Sequence, residues 1–166
     1  NPLLTFLPLF TKNVFGGGVN EYTYLMAAGG CGAAAGALVV AWLGRFRHMG
    51  LTLLIVQFLF GLVMVMFALL RVFWVNAIVL FVAGACMVMV TALLSSLVQL
   101  NAPNDMRGRV MSIYMVAFRG GMPLGSLVAG WTATLSNATS VLVVNGVLLT
   151  AVSAWFLLKS HGVREL

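Results

Sequence analysis

Charge is scarce in this chain, and acid scarcest. Of 166 residues only Glu21, Asp105 and Glu165 are acidic, against nine Lys and Arg, and charged residues make up 7% of the whole. A soluble domain carries about 25%. With 62% hydrophobic residues and a mean hydropathy of +1.09, so few charges cannot cover a water-facing surface. A soluble protein is excluded, and an all-α integral membrane protein is expected. Cysteine is nearly absent too. Cys31 and Cys86 both fall inside apolar runs, which argues against a disulfide framework. His48 and His161 lie outside those runs, and no His, Asp or Glu falls within one. An enzyme needs a nucleophile and a base at related depths, so no enzyme is expected. With no Cys/His cluster and no phosphate-binding glycine loop, no cofactor or metal is implied. The bases lie in short loops beside apolar runs, where they orient a membrane protein rather than bind nucleic acid. Initiator Met and signal peptide are missing, and the chain opens inside an apolar run, so a fragment of a longer protein is expected.

What the chain does have is six apolar segments. A complete span needs about 20 residues, and the first segment, Asn1 to Val14, falls short of that. Pro2 and Pro8 interrupt it, and Gly16, Gly17 and Gly18 close it with a turn. It reads as the end of a longer helix. The second, Tyr22 to Leu43, contains an unbroken run of small residues with Gly32 and Gly36 four apart, a spacing that lets helix backbones approach closely in lipid. It is expected to be packed on both sides. The third, Met49 to Leu70, is bulky and has the composition of a lipid-facing helix. The fourth, Val72 to Leu100, places Thr91, Ser95 and Gln99 on one face. That stripe either lines a substrate path or makes hydrogen bonds between helices. The fifth, Val110 to Leu135, holds Arg119, Gly120, Gly121, Pro123, Gly125 and Gly130. The sixth, Ser140 to Leu158, is again bulky. Trp42, Trp74, Trp131 and Trp155 each fall near a segment end, where indole rings prefer to sit.

Arg119 is the outlier. It lies ten residues beyond Arg109, which at the helical rise is roughly 15 Å, or half a bilayer core. A cation at that depth costs about 2.5–3.5 kcal/mol on insertion scales. With no acid at that level, it must meet water, backbone carbonyls, an acid from elsewhere, or an anionic substrate. It is either a substrate- or coupling-related group or a pin between helices. Pro123 lacks an amide hydrogen, leaving the Arg119 carbonyl unpaired and kinking the helix. Arg107 and Arg109 either gate through Asp105 or anchor the loop, with Asp105 capping the fifth helix. The loop bases Arg45, Arg47, Arg107 and Arg109, with Lys159 and Arg164, outnumber Lys12 and Arg71 on the other side, so a cytoplasmic C-terminus is expected. Asn137 heads a glycosylation-type triplet. Small-residue segments two and five, and bulky segments three and six, form two triplets of the inverted three-plus-three kind.

Pro103-Asn104-Asp105-Met106-Arg107-Gly108-Arg109-Val110-Met111-Ser112, followed by Phe118 and by Gly121, Pro123 and Gly125, resembles the loop and eleventh helix of the major facilitator superfamily. Phe6, Pro8, Phe10 and Gly16 to Gly18 are similar to the outer end of that family's seventh helix. The nearest branch by resemblance is that of the enterobactin exporter and related drug-efflux carriers. Residues 1–166 then resemble the C-terminal six-helix lobe of a twelve-helix carrier, its first helix truncated and its N-terminal lobe absent. The resemblance implies an exporter of small molecules, drug- or siderophore-like, working by alternating access in a bacterial inner membrane. Its partners would be the N-terminal lobe, the lipid bilayer and the substrate. It further implies that segments one and four face a central cavity, two and five the lobe interface, and three and six the lipid. The loop Gly44 to His48 lacks the acid that many members carry there, so a charge-relay gate is not expected, and any proton-binding carboxylate is expected in the other lobe. A channel or purely structural subunit has the same composition and stays open as the alternative.

Overall fold

The computed structural model describes residues 19–44, 48–70, 72–135 and 138–159. The regular structure among them is α-helical: α1 (Val19–Leu43), α2 (Met49–Leu69), α3 (Phe73–Asn101), α4 (Arg107–Leu135) and α5 (Ala138–Lys159). These are the expected second to sixth segments. The first segment, the tail after Lys159, and Arg45, Arg47, Arg71 and Asn137 lie outside the described residues. Helices are what a chain this apolar must form, because in lipid each backbone amide and carbonyl needs a partner within its own segment. α1 stops at Gly44, whose φ of +58° is left-handed and whose amide donates to the Val40 carbonyl at 3.1 Å. α1, α2, α3 and α5 are each long and apolar enough to cross a bilayer. α4, at 29 residues, has the length but is less apolar, its middle carrying Arg119 among several glycines, serines and Pro123.

Two tight helix pairs make the bundle. α1 runs parallel to α3, its principal partner, with Gly32 against the Phe81 main chain and Gly36 against that of Ala85. A β-carbon on Gly36 would lie 2.5 Å from the Ala85 carbonyl oxygen, and one on Gly32 would overlap the Phe81 carbonyl. On the facing side, Gly84 sits on the Gly29 carbonyl. Lipid tails are as apolar as these side chains, so close backbone contact rather than escape from water holds the pair. α2 crosses α5 antiparallel at a reciprocal contact: β-carbons on Gly61 and Gly146 would each come within 3.0 Å of the other's carbonyl oxygen.

α2 also packs on α3 and joins the two pairs. Leu25, Met64, Phe67, Leu80 and Leu142 are fully enclosed at the end carrying the α2–α3 and α4–α5 connections. Met49, Leu53, Leu93 and Leu97 form a smaller cluster at the opposite end. Among the described residues α4 contributes to neither cluster, and its contacts with α3 and α5 are weak.

Three expectations are corrected. The bulky third segment is exposed along one stripe only, not over most of its surface. As α2 it is the most enclosed of the four apolar helices, because its large side chains fill the space between α3 and α5. Only the stripe Ile55, Leu59, Leu62, Met66 and Leu69 remains exposed. α1, expected to be packed on both sides, is packed on one among the described residues. Tyr24, Leu38 and Trp42 point away from α3, and only the glycine face is close enough to it to be covered. Asp105 does not cap the fifth helix. A turn closes from the Met106 amide to the Pro103 carbonyl, and the first helical bond runs from the Val110 amide to the Met106 carbonyl, so Asp105 sits one residue too early.

Candidate functional site

α4 carries a polar face. Ser112, Arg119 and Ser126 recur every seven residues, which at about 100° per residue puts them in one stripe. Ser112 and Arg119 are exposed and Ser126 is half-buried. Both hydroxyls turn onto their own helix: Ser112 donates to the Gly108 carbonyl at 2.9 Å and Ser126 to that of Pro123 at 2.8 Å. The helix runs unbroken through Pro123. Arg119 lies near the middle of α4, in a shallow open depression bordered by Phe118, Met122, Pro123 and Ser126. Among the described residues, every lining residue comes from α4. Among the described residues the guanidinium has no hydrogen-bond or ionic partner.

The other predicted positions divide sharply. Thr91 donates back to the carbonyls of Met87 and Val88 at 3.1 and 3.0 Å, and Ser95 to that of Thr91 at 2.8 Å. Ser95 also meets the Tyr114 hydroxyl of α4 at 3.2 Å, so at this residue the stripe makes the hydrogen bond between helices. Gln99 is exposed. The α3 stripe and Arg119 are not brought together directly; Tyr114, stacked on Phe118 at 5.8 Å, lies between them. Arg107 donates to the Asn104 carboxamide oxygen at 2.9 Å rather than pairing with Asp105, and Arg109 is exposed. Gly32 and Gly36 pack as expected. At Gly120, Gly121 and Gly125, β-carbons would meet nothing within 4 Å among the described residues.

Neutral hydrogen bonds between membrane helices contribute about 0.6 kcal/mol on average. A double-mutant cycle on Ser95→Ala and Tyr114→Phe, read by thermal unfolding in detergent, is expected to return a coupling of that size. Strict additivity would show that the two hydroxyls do not interact.

Tyr114 and Asn76 escaped the reading of the sequence. Tyr114 is one phenol in an apolar stretch. Asn76 is fully buried at the start of α3, its amide donating to the Leu70 carbonyl at 2.9 Å while its own oxygen has no partner. A lone amide early in an apolar run was the available signal. All four tryptophans are exposed near helix ends, and Lys159 lies 4.7 Å above the Trp155 ring.

A family model described as transmembrane secretion effector, of the major facilitator type, matches residues 2–164. No curated protein and no solved structure matches the chain.

Proposed function

The chain belongs to the transmembrane secretion effector family of major facilitator transporters, and from that premise we propose that it is the C-terminal six-helix lobe of a twelve-helix exporter. In this reading the lobe works with an N-terminal six-helix lobe by alternating access. It moves a small molecule of drug or siderophore type out across a bacterial inner membrane, and its C-terminus is cytoplasmic. The observation that carries the reading is Arg119. An unpartnered guanidinium halfway along a helix of spanning length is tolerated where it meets water or a substrate, and a path between two lobes provides both. The Ser112–Arg119–Ser126 face is that wall of the path. The chemistry it offers is an acceptor-seeking cation flanked by methionines, suited to the carboxylate, phenolate or carbonyl oxygens of an otherwise apolar solute.

The test is export by cells carrying the full-length protein, read with fluorescent drugs and with a catecholate siderophore. A hydrogen bond to a charged group is worth about 1.5–3 kcal/mol, so Arg119→Ala should cut transport roughly 10- to 100-fold while Arg119→Lys keeps part of it. Normal transport by both variants would remove Arg119 from the path. No transport of any compound by the wild-type protein would favour a structural subunit.

A further inference from the structure

The surface of α4 is sorted by side-chain type. At about 100° per residue, Met111, Met115, Phe118 and Met122 fall within roughly 60° of arc, directly beside the Ser112–Arg119–Ser126 stripe. The branched side chains Ile113, Val116, Leu124 and Leu127, all exposed, gather on the far side of that stripe. A helix that met only lipid would have no reason to keep its methionines and its phenylalanine apart from its branched residues. We infer that the strip beside Arg119 is a binding surface for flat aromatic carboxylates. The inference rests on Arg119 lining the substrate path, as proposed above, and it names what that path admits.

Phe118 and Met122 share the depression that holds Arg119, so a ring laid on Phe118 has a guanidinium at its edge. That group is planar, and its parallel N–H donors match the two oxygens of a carboxylate. Phe118 is held in place before any ligand arrives. Tyr114 stacks on it at 5.8 Å with the planes 22° apart, and the Tyr114 hydroxyl is itself tied to Ser95 of α3 at 3.2 Å. A platform ordered in advance loses little freedom on binding. Met115 and Met122, 44% and 45% exposed, add thioether sulfurs that sit well against ring edges. Their unbranched side chains also adapt to rings of different outline.

Charge decides what is turned away. Glu21 and Asp105, the acids among the described residues, lie in the first turn of α1 and in the α3–α4 loop, and α4 itself has none. An aromatic cation would bring its charge beside Arg119 with no acid of this helix to offset it. The strip therefore selects by sign through Arg119 and by flatness through Phe118, while the methionines leave ring outline loosely specified.

The test is calorimetric titration of the purified full-length protein in lipid nanodiscs, with empty nanodiscs subtracted. The probes are naphthoate, its fully saturated counterpart, and the cation naphthylmethylammonium. Naphthoate is expected to bind roughly 10- to 100-fold more tightly than the cation, the range for a hydrogen bond to a charged group. It should bind about 2- to 10-fold more tightly than the saturated acid, the range for an aromatic pair. Phe118→Leu keeps the bulk without the ring and should abolish the second preference while keeping the first; Arg119→Gln should do the reverse. The wild-type comparison needs no variant to fold. The inference is overturned if the wild-type protein binds the cation as tightly as naphthoate, if the saturated acid binds as well as the flat one, or if none of the three binds. It is overturned equally if folded Phe118→Leu retains the preference for the ring. Naphthoate binding without export of any compound would uphold this surface and remove the exporter reading, and export with no probe bound would do the opposite.

Discussion

Gly32→Ala is expected to destabilise the bundle by about 1–3 kcal/mol, the usual cost of overpacking, while Gly30→Ala leaves it unchanged or stabilises it by up to about 1 kcal/mol. The two glycines are two residues apart on the same helix and differ only in what they face. A β-carbon on Gly32 would overlap the carbonyl of Phe81, and a main chain cannot rotate aside as a side chain can. α1 and α3 must therefore part along their whole crossing, which also loosens Gly36 against Ala85 and Gly84 against Gly29. A β-carbon on Gly30 meets nothing within 4 Å, so only the gain in helix propensity remains. The measurement is thermal unfolding in detergent, followed by a thiol-reactive dye on buried Cys86 in a Cys31→Ser background. Equal shifts for the two variants would mean that the α1–α3 crossing is not a close backbone contact.

Asn76→Asp should be worse still, of order 3–5 kcal/mol, the range seen when a charge is left buried and unpaired. The amide nitrogen of Asn76 donates to the Leu70 carbonyl, tying the start of α3 to the end of α2. A carboxylate has no proton to donate, so it would face that carbonyl oxygen with repulsion, and no cation among the described residues is placed to neutralise it. Asn76→Leu removes the same hydrogen bond but also removes the orphaned oxygen, so its loss should be small. The ranking of the two variants in thermal unfolding is the discriminating result. A leucine variant less stable than the aspartate variant would show that the Leu70 bond, not the buried oxygen, dominates this corner.

The spans were legible because lipid imposes one rule on every residue of a segment, and long apolar runs ended by Gly44, Arg71 or Pro103 obey it visibly. The glycine seam of α1 was legible too, since small residues four apart have few other uses in lipid. The position of each helix in the bundle was not. Bulky residues suit both lipid and a core, and Met64 and Phe67 of α2 are inside while Leu62 and Met66 are outside. Composition is blind to that distinction when tails and cores are equally apolar. Arg119 was legible as an anomaly because its cost is independent of fold, whereas the Ser95–Tyr114 contact joins residues on different helices and needs the packing to be known.

The modest apolarity of α4 has a consequence for how the protein is made. A translocation channel hands segments to the bilayer one at a time, judging each by its own hydrophobicity, and the central arginine weighs against α4 by about 2.5–3.5 kcal/mol. Its neighbours α3 and α5 are strongly apolar and enter readily. α4 must therefore be retained as it emerges and carried in between them, its residence in the membrane set by the company it is synthesised with.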